Sequence, residues 1–153
     1  MNYKIRQYIE TLNNQFKIVK NVSDEEQKSM LTKYLCVRVA GLLEAFIKAQ
    51  ISEYTNGRVP KEIERYISSK FKDITNLKCK KLREVLDSFS NDWAVEFDAY
   101  TANHEQQKNS LDSIITNRHN IAHGQVGNLS FLNMQQYYDD VKLIITKLDN
   151  IIK

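Results

Sequence analysis

An all-α antiparallel helical bundle with extra short helices is the fold class this sequence predicts, on three observations. The 153 residues hold only 4 Gly and 1 Pro, well below the usual joint share of roughly 12%. Hairpins, sandwiches and barrels need turn residues at special backbone angles, and doubly wound α/β folds want glycine where strands turn into helices, so both are disfavoured. Apolar residues also recur at helical spacing through nearly the whole chain. The length suits one core. No repeat, low-complexity tract or linker divides the chain, and residues 1–153 read as a single domain.

The first helix carries Ile5, Tyr8, Ile9, Leu12, Phe16 and Val19 and ends near Asn21. Ser23 followed by Asp24, Glu25 and Glu26 is a capping-box signature, in which the Ser hydroxyl and a Glu carboxylate satisfy orphan amides. The acidic residues also suit the positive end of the helix dipole. The long helix that follows, from about Asp24 to Tyr54, presents Leu31, Leu35, Val39, Leu42, Leu43, Phe46, Ile47 and Ile51 as one stripe, and Asn56 and Gly57 stop it. Pro60 suits a first turn and opens a short helix with Ile63, Tyr66, Ile67 and Phe71. Asn76 is the expected cap of a helix with Leu77, Leu82, Val85, Leu86 and Phe89; a short aromatic segment restarts at Asn91, Asp92 and Trp93 with Phe97 and Tyr100. Glu105 to about Asn120 forms a helix with Leu111, Ile114 and Ile115 inward, and Gly124 and Gly127 bracket a tight loop after it. The last helix, roughly Phe131 to Ile152, is amphipathic and draws its apolar residues from Leu132, Tyr137, Tyr138, Val141, Ile144, Ile145, Leu148 and Ile151.

With 22 basic and 19 acidic residues, the net charge of +3 is a mixed surface, short of the basic bias usual in dedicated duplex binders. Lys78, Lys80, Lys81 and Arg83 cluster on one segment, either to meet a nucleic-acid backbone or as a solvated face. Cys36 and Cys79 form no C-x-x-C pair and read as buried free thiols in a reducing compartment. No apolar stretch reaches signal-peptide character or the roughly 20 residues that span a bilayer, so a cytoplasmic protein with no membrane partner is expected.

Chemistry concentrates in Asn117, Arg118, His119, Asn120, Ile121, Ala122, His123 and Gly124, where two of the 3 histidines lie beside an arginine at a helix stop. Arg and His near the negative end of a helix dipole are ordinary, but Ala122 and Gly124 are too small to fill a core and leave open backbone around His123. His119 and His123, four apart, suit two zinc ligands, yet no third ligand is near. A phosphodiester reading fits the residue types better. Cleaving RNA without a metal needs a base for the 2′-hydroxyl, an acid for the leaving oxygen and a cation for the phosphate. Histidine serves the first two near neutral pH, and arginine's always-charged fork pairs two phosphate oxygens. His104, in a polar stretch, reads as solvent-exposed; of Tyr137 and Tyr138, one is expected in the core and the other free to stack on a base.

Arg118-x-x-x-x-His123, with His119 directly after the arginine, resembles the R-x4-6-H motif of HEPN-domain ribonucleases. The stretch from Leu111 to Gly124 is similar to the RiboL-PSP-HEPN and related HEPN-like nuclease branches, and Arg38 to Phe46 is similar to their second helix, which carries a polar glutamate at the position of Glu44. The resemblance implies a HEPN-type bundle and a homodimer whose facing motifs form one composite cleft. It further implies cofactor-free, metal-independent cleavage of RNA to a 2′,3′-cyclic phosphate and a 5′-hydroxyl, in a toxin with a cognate antitoxin or an antiphage defence effector. By the same resemblance Arg118 positions the scissile phosphate, His123 is the principal acid/base, His119 assists, Asn120 is a weaker neighbour and Glu44 holds Arg118. Two other classes remain: a catalytically silent HEPN module that binds a nucleotide, RNA or protein partner, and an antitoxin or purely structural bundle.

Overall fold

A computed structural model describes residues 1–125 and 127–153. Its described residues form seven helices and no strand: α1 (Tyr3–Lys20), α2 (Glu25–Thr55), α3 (Lys61–Phe71), α4 (Cys79–Asp87), α5 (Asn91–Asn103), α6 (Glu105–Ala122) and α7 (Phe131–Ile151). Among them, no helix is long and apolar enough to cross a membrane. This is the all-α bundle that glycine scarcity and helical spacing predict.

At 1.5 Å per residue, the 31 residues of α2 extend about 46 Å. It packs against α1, α6 and α7, which explains why buried residues wrap much of its circumference, from Leu35, Cys36 and Val39 to Phe46, Ile47 and Ile51. Each such large aliphatic side chain contributes about 1.5–3 kcal/mol on full burial. Side-chain contacts set the directions. Asn2 bonds Glu53 at one end of α1 while Lys28 reaches the carbonyl of Lys20 at the other, so α1 and α2 are antiparallel. Lys28 lies over Phe131 and Gln50 Nε2 donates to Ile152 O, so α7 runs alongside α2 in the same direction. Ser110 bonds Asp140 across α6 and α7, which are joined by a short loop and antiparallel. The short helices α4 and α5 pack on each other and cover α6, and α3 rests on α2.

Several local expectations shift. The start of α2 is capped by Asp24, not Ser23: its carboxylate accepts from the Gln27 N–H at 2.8 Å. A charged acceptor at the positive end of the helix is stronger than a hydroxyl. Pro60 sits at the cap position, one residue before the first turn of α3. Asn76 is not a cap; it adopts φ 55°, a left-handed conformation that asparagine tolerates, and α4 begins three residues later. Its first amide, from Cys79, donates instead to Asp112 of α6 at 2.8 Å, a cap supplied from another helix. The aromatic segment at Trp93 is a full helix, α5. Leu132 is 79% exposed rather than inward. It lies about 120° around α7 from the fully buried Tyr138 and lines an open surface cleft with Lys20 and Lys28. The loop bracketed by Gly124 and Gly127 contains Val126, which lies outside the described residues.

Candidate functional site

The last turn of α6 is closed by backbone geometry. Gly124 adopts φ 66°, the left-handed region that glycine enters without a steric penalty. Its N–H donates to Ile121 O at 3.2 Å and that of Gln125 to Asn120 O at 2.9 Å, the paired bonds of a Schellman stop. His123 is therefore the C-cap, its own N–H bonded to His119 O at 3.1 Å. Both histidines are exposed, with ring centroids 4.4 Å apart.

Arg118 leans the other way. At about 100° per residue it lies roughly 140° around the helix from His123, whereas His119 lies within about 40° of it. Its Nη2 stands 3.8 Å from Glu44 Oε1 on α2, an ion pair too long for a hydrogen bond. The carboxylate is the more enclosed partner, with 16% of its side chain exposed against 30% for Arg118, and Glu44 Oε1 is buried without a hydrogen-bond partner among the described residues. Among the described residues the Arg118 fork makes no hydrogen bond, so its donors are available. The structure thus brings together the two pairs Arg118 with Glu44 and His119 with His123. Asn120 is half-buried, its carbonyl taken by the helix stop. Among the described residues, no group of three or more His, Cys, Asp or Glu side chains gathers as a metal cluster.

Other sequence candidates fall away from this end. His104 is exposed and stacks on Tyr100 at 4.2 Å. Arg83 is tied to Asp98 at 3.0 Å and Asp87 at 3.2 Å, and Lys81 to Glu84 at 3.8 Å, whereas Lys78 and Lys80 are exposed and make no ion pair among the described residues. Tyr138 is the core member of its pair and Tyr137 is half-buried.

Three residues beside Glu44 were not among the expected site residues. The Tyr8 hydroxyl donates to Arg38 O at 3.1 Å, and the Arg38 guanidinium lies 4.7 Å from the Tyr8 ring centroid. Burial pushes the Tyr8 phenol up; the Arg38 charge opposes that, while Tyr34 and Glu44 add to it. A Cβ on Gly41 would stand 3.1 Å from the Tyr8 oxygen. That glycine in the middle of a long helix was the available signal, since it marks a close approach.

Cys36 and Cys79 are buried and free. Burial pushes the Cys36 thiol up to about 12 against the opposing charge of Arg118, and Cys79 up to about 12 through burial and the neighbouring Asp112. The folded state therefore holds both protons through pH 9.0, the ordinary value. As pH rises from there toward 12, the unfolded chain releases protons that the folded chain keeps, and stability falls across that window. At pH 8 neither thiol should react with an aromatic disulfide reagent until the protein is denatured. Prompt reaction of the native protein would contradict the burial.

No curated protein and no solved structure is significantly similar to the chain. The model of the RiboL-PSP-HEPN family matches residues 3–153, and the chain belongs to that family.

Proposed function

We propose that this single HEPN domain is a metal-independent endoribonuclease that leaves 2′,3′-cyclic phosphate and 5′-hydroxyl ends. The observation that carries the reading is the division of labour at the end of α6. An arginine is leaned on a buried carboxylate with its donors unspent, and two histidine rings stand side by side in solvent. The fork of Arg118 binds the scissile phosphate and stabilises the charge that grows on its oxygens. His123 takes the 2′-hydroxyl proton or protonates the leaving 5′-oxygen, and His119 assists; imidazole holds or gives a proton near neutral pH. Glu44 positions Arg118, and Asn120 is a supporting neighbour. Because Arg118 and His123 project from different sides of one helix, a second copy facing the first would complete the set, and a homodimer fits this need. Cellular RNA is the substrate. A toxin restrained by an antitoxin, or a cytoplasmic antiphage effector, is the role such an activity suits.

The test incubates the purified protein with a mixed RNA pool in EDTA and reads the product ends and the sedimentation mass. Cyclic-phosphate ends from a dimer support the reading. Intact RNA that is nevertheless bound overturns it in favour of a silent HEPN binding module.

A further inference from the structure

Between α1 and α2 lies an open surface cleft of about 440 Å³, lined among others by Lys4, Tyr8 and Arg38. Arg38 and Lys4 bring two cations to it and the exposed Glu10 one carboxylate. Among the described residues, no carboxylate lies within ion-pair distance of Arg38, and its Nε is buried with no hydrogen-bond partner. That Nε is shielded from solvent, so an external acceptor would meet the outer edge of the half-buried guanidinium, which lines the cleft and whose charge no carboxylate of the described residues neutralises. Two rings frame it: Tyr8 at 4.7 Å and Tyr34 at 6.0 Å, the latter 47% exposed. Two other polar side chains of the cleft are already engaged, since the Thr11 hydroxyl donates to Gln7 O and the Gln7 amide to Tyr3. The Lys4 amine and Asn14 amide make no such bond among the described residues and stay open.

We infer that Arg38, with Lys4, is a second phosphate-binding subsite, which holds a phosphate of the single-stranded RNA flanking the bond to be cut. This rests on the ribonuclease reading above. Arg38 and Glu44 share α2 six residues apart, a rise of about 9 Å, and Glu44 acts electrically on both Tyr8 and Arg118. The two positions also lie about 120° apart around α2, so a strand seated on Arg118 would reach Arg38 by bending around that helix. An exposed aromatic ring beside a cation is the arrangement that takes a splayed base next to its phosphate, which points to a single strand. Gly41 keeps the cleft in shape by leaving room for the Tyr8 hydroxyl.

The test is fluorescence anisotropy with a short labelled oligoribonucleotide whose 2′-hydroxyls are all methylated, so that it cannot be cleaved. Arg38→Met should weaken binding about tenfold and flatten the slope of log affinity against log salt by about 0.7, the value of one single-strand phosphate. Lys4→Gln, on the exposed face of α1, should weaken it about threefold and decides the matter if Arg38→Met fails to fold. Lys80→Gln on α4 should bind as wild type. Wild-type affinity in both cleft variants, or no binding by the wild type, overturns the proposal. Equal Arg38 dependence with a duplex of the same sequence overturns the assignment to a single strand. If binding depends on Arg38 but unmodified RNA stays intact, the subsite stands and the ribonuclease reading falls.

Discussion

Replacing either Arg118 or His123 by alanine should reduce RNA cleavage at least about a hundredfold while leaving the fold in place. A positioned general acid or base contributes about 10²–10⁴-fold, and an arginine that binds transferring phosphoryl oxygens contributes about 10³–10⁵-fold where it has been removed. The stability cost is small by comparison. His123 is exposed at a helix end whose bonds are made by backbone atoms. Arg118 gives up a 3.8 Å ion pair and leaves the enclosed Glu44 carboxylate without its cation, at a cost of about 1–3 kcal/mol. The melting curve of His123→Ala should therefore overlay that of the wild type, and that of Arg118→Ala should shift down by a few degrees while staying cooperative. Arg118→Lys should recover part of the loss, because charge returns without the two-pronged fork. Full cleavage by either alanine variant, in EDTA, would remove these residues from the chemistry.

The largest effect on stability should come from Tyr138→Ala. The Tyr138 ring is fully buried and stacks on Phe16 at 4.5 Å with an interplanar angle of 7°. Its hydroxyl is within reach of Ile9 O at 3.2 Å and Asn13 Oδ1 at 2.9 Å, which ties α7 to α1. Truncating a buried aromatic costs about 3–5 kcal/mol; for a chain of this size that lowers Tm by roughly 10–15 °C. Tyr138→Phe keeps the stack and loses only the hydroxyl, a cost of about 1 kcal/mol. Urea denaturation of the two variants separates the terms. Equal midpoints would mean that the ring's packing contributes nothing.

Helix existence was legible because it depends on repeated signals. Eight apolar positions from Leu31 to Ile51 must be wrong together before α2 disappears. The ends depend on single hydrogen bonds, which sequence pattern does not resolve. Asp24 and Ser23 are both competent caps one residue apart, and only the backbone angles choose between them. The start of α4 was opaque for a different reason: its cap, Asp112, arrives from α6, 33 residues later in the chain. Leu132 misled because apolar character at a helix start says nothing of which side the neighbours cover. At the site, the motif from Arg118 to His123 was readable from residue types, and Glu44 from the family's second helix. Tyr8 sits at an apolar helical position and Arg38 opens the second-helix pattern, so neither signals a contact with the other. Their meeting joins α1 to α2 across the bundle, and only the glycine at 41 hinted at it.

The way α6 ends has a consequence for how freely its surroundings can vary. Every bond that fixes the backbone at His119 and His123 is closed by residues no later than Gln125. The two imidazoles are thus anchored before the chain enters the connection to α7. Substitutions in residues 128–130 of that connection should therefore leave the spacing of the rings unchanged. In this bundle the spacing of the two rings is set on the α6 side of a single glycine.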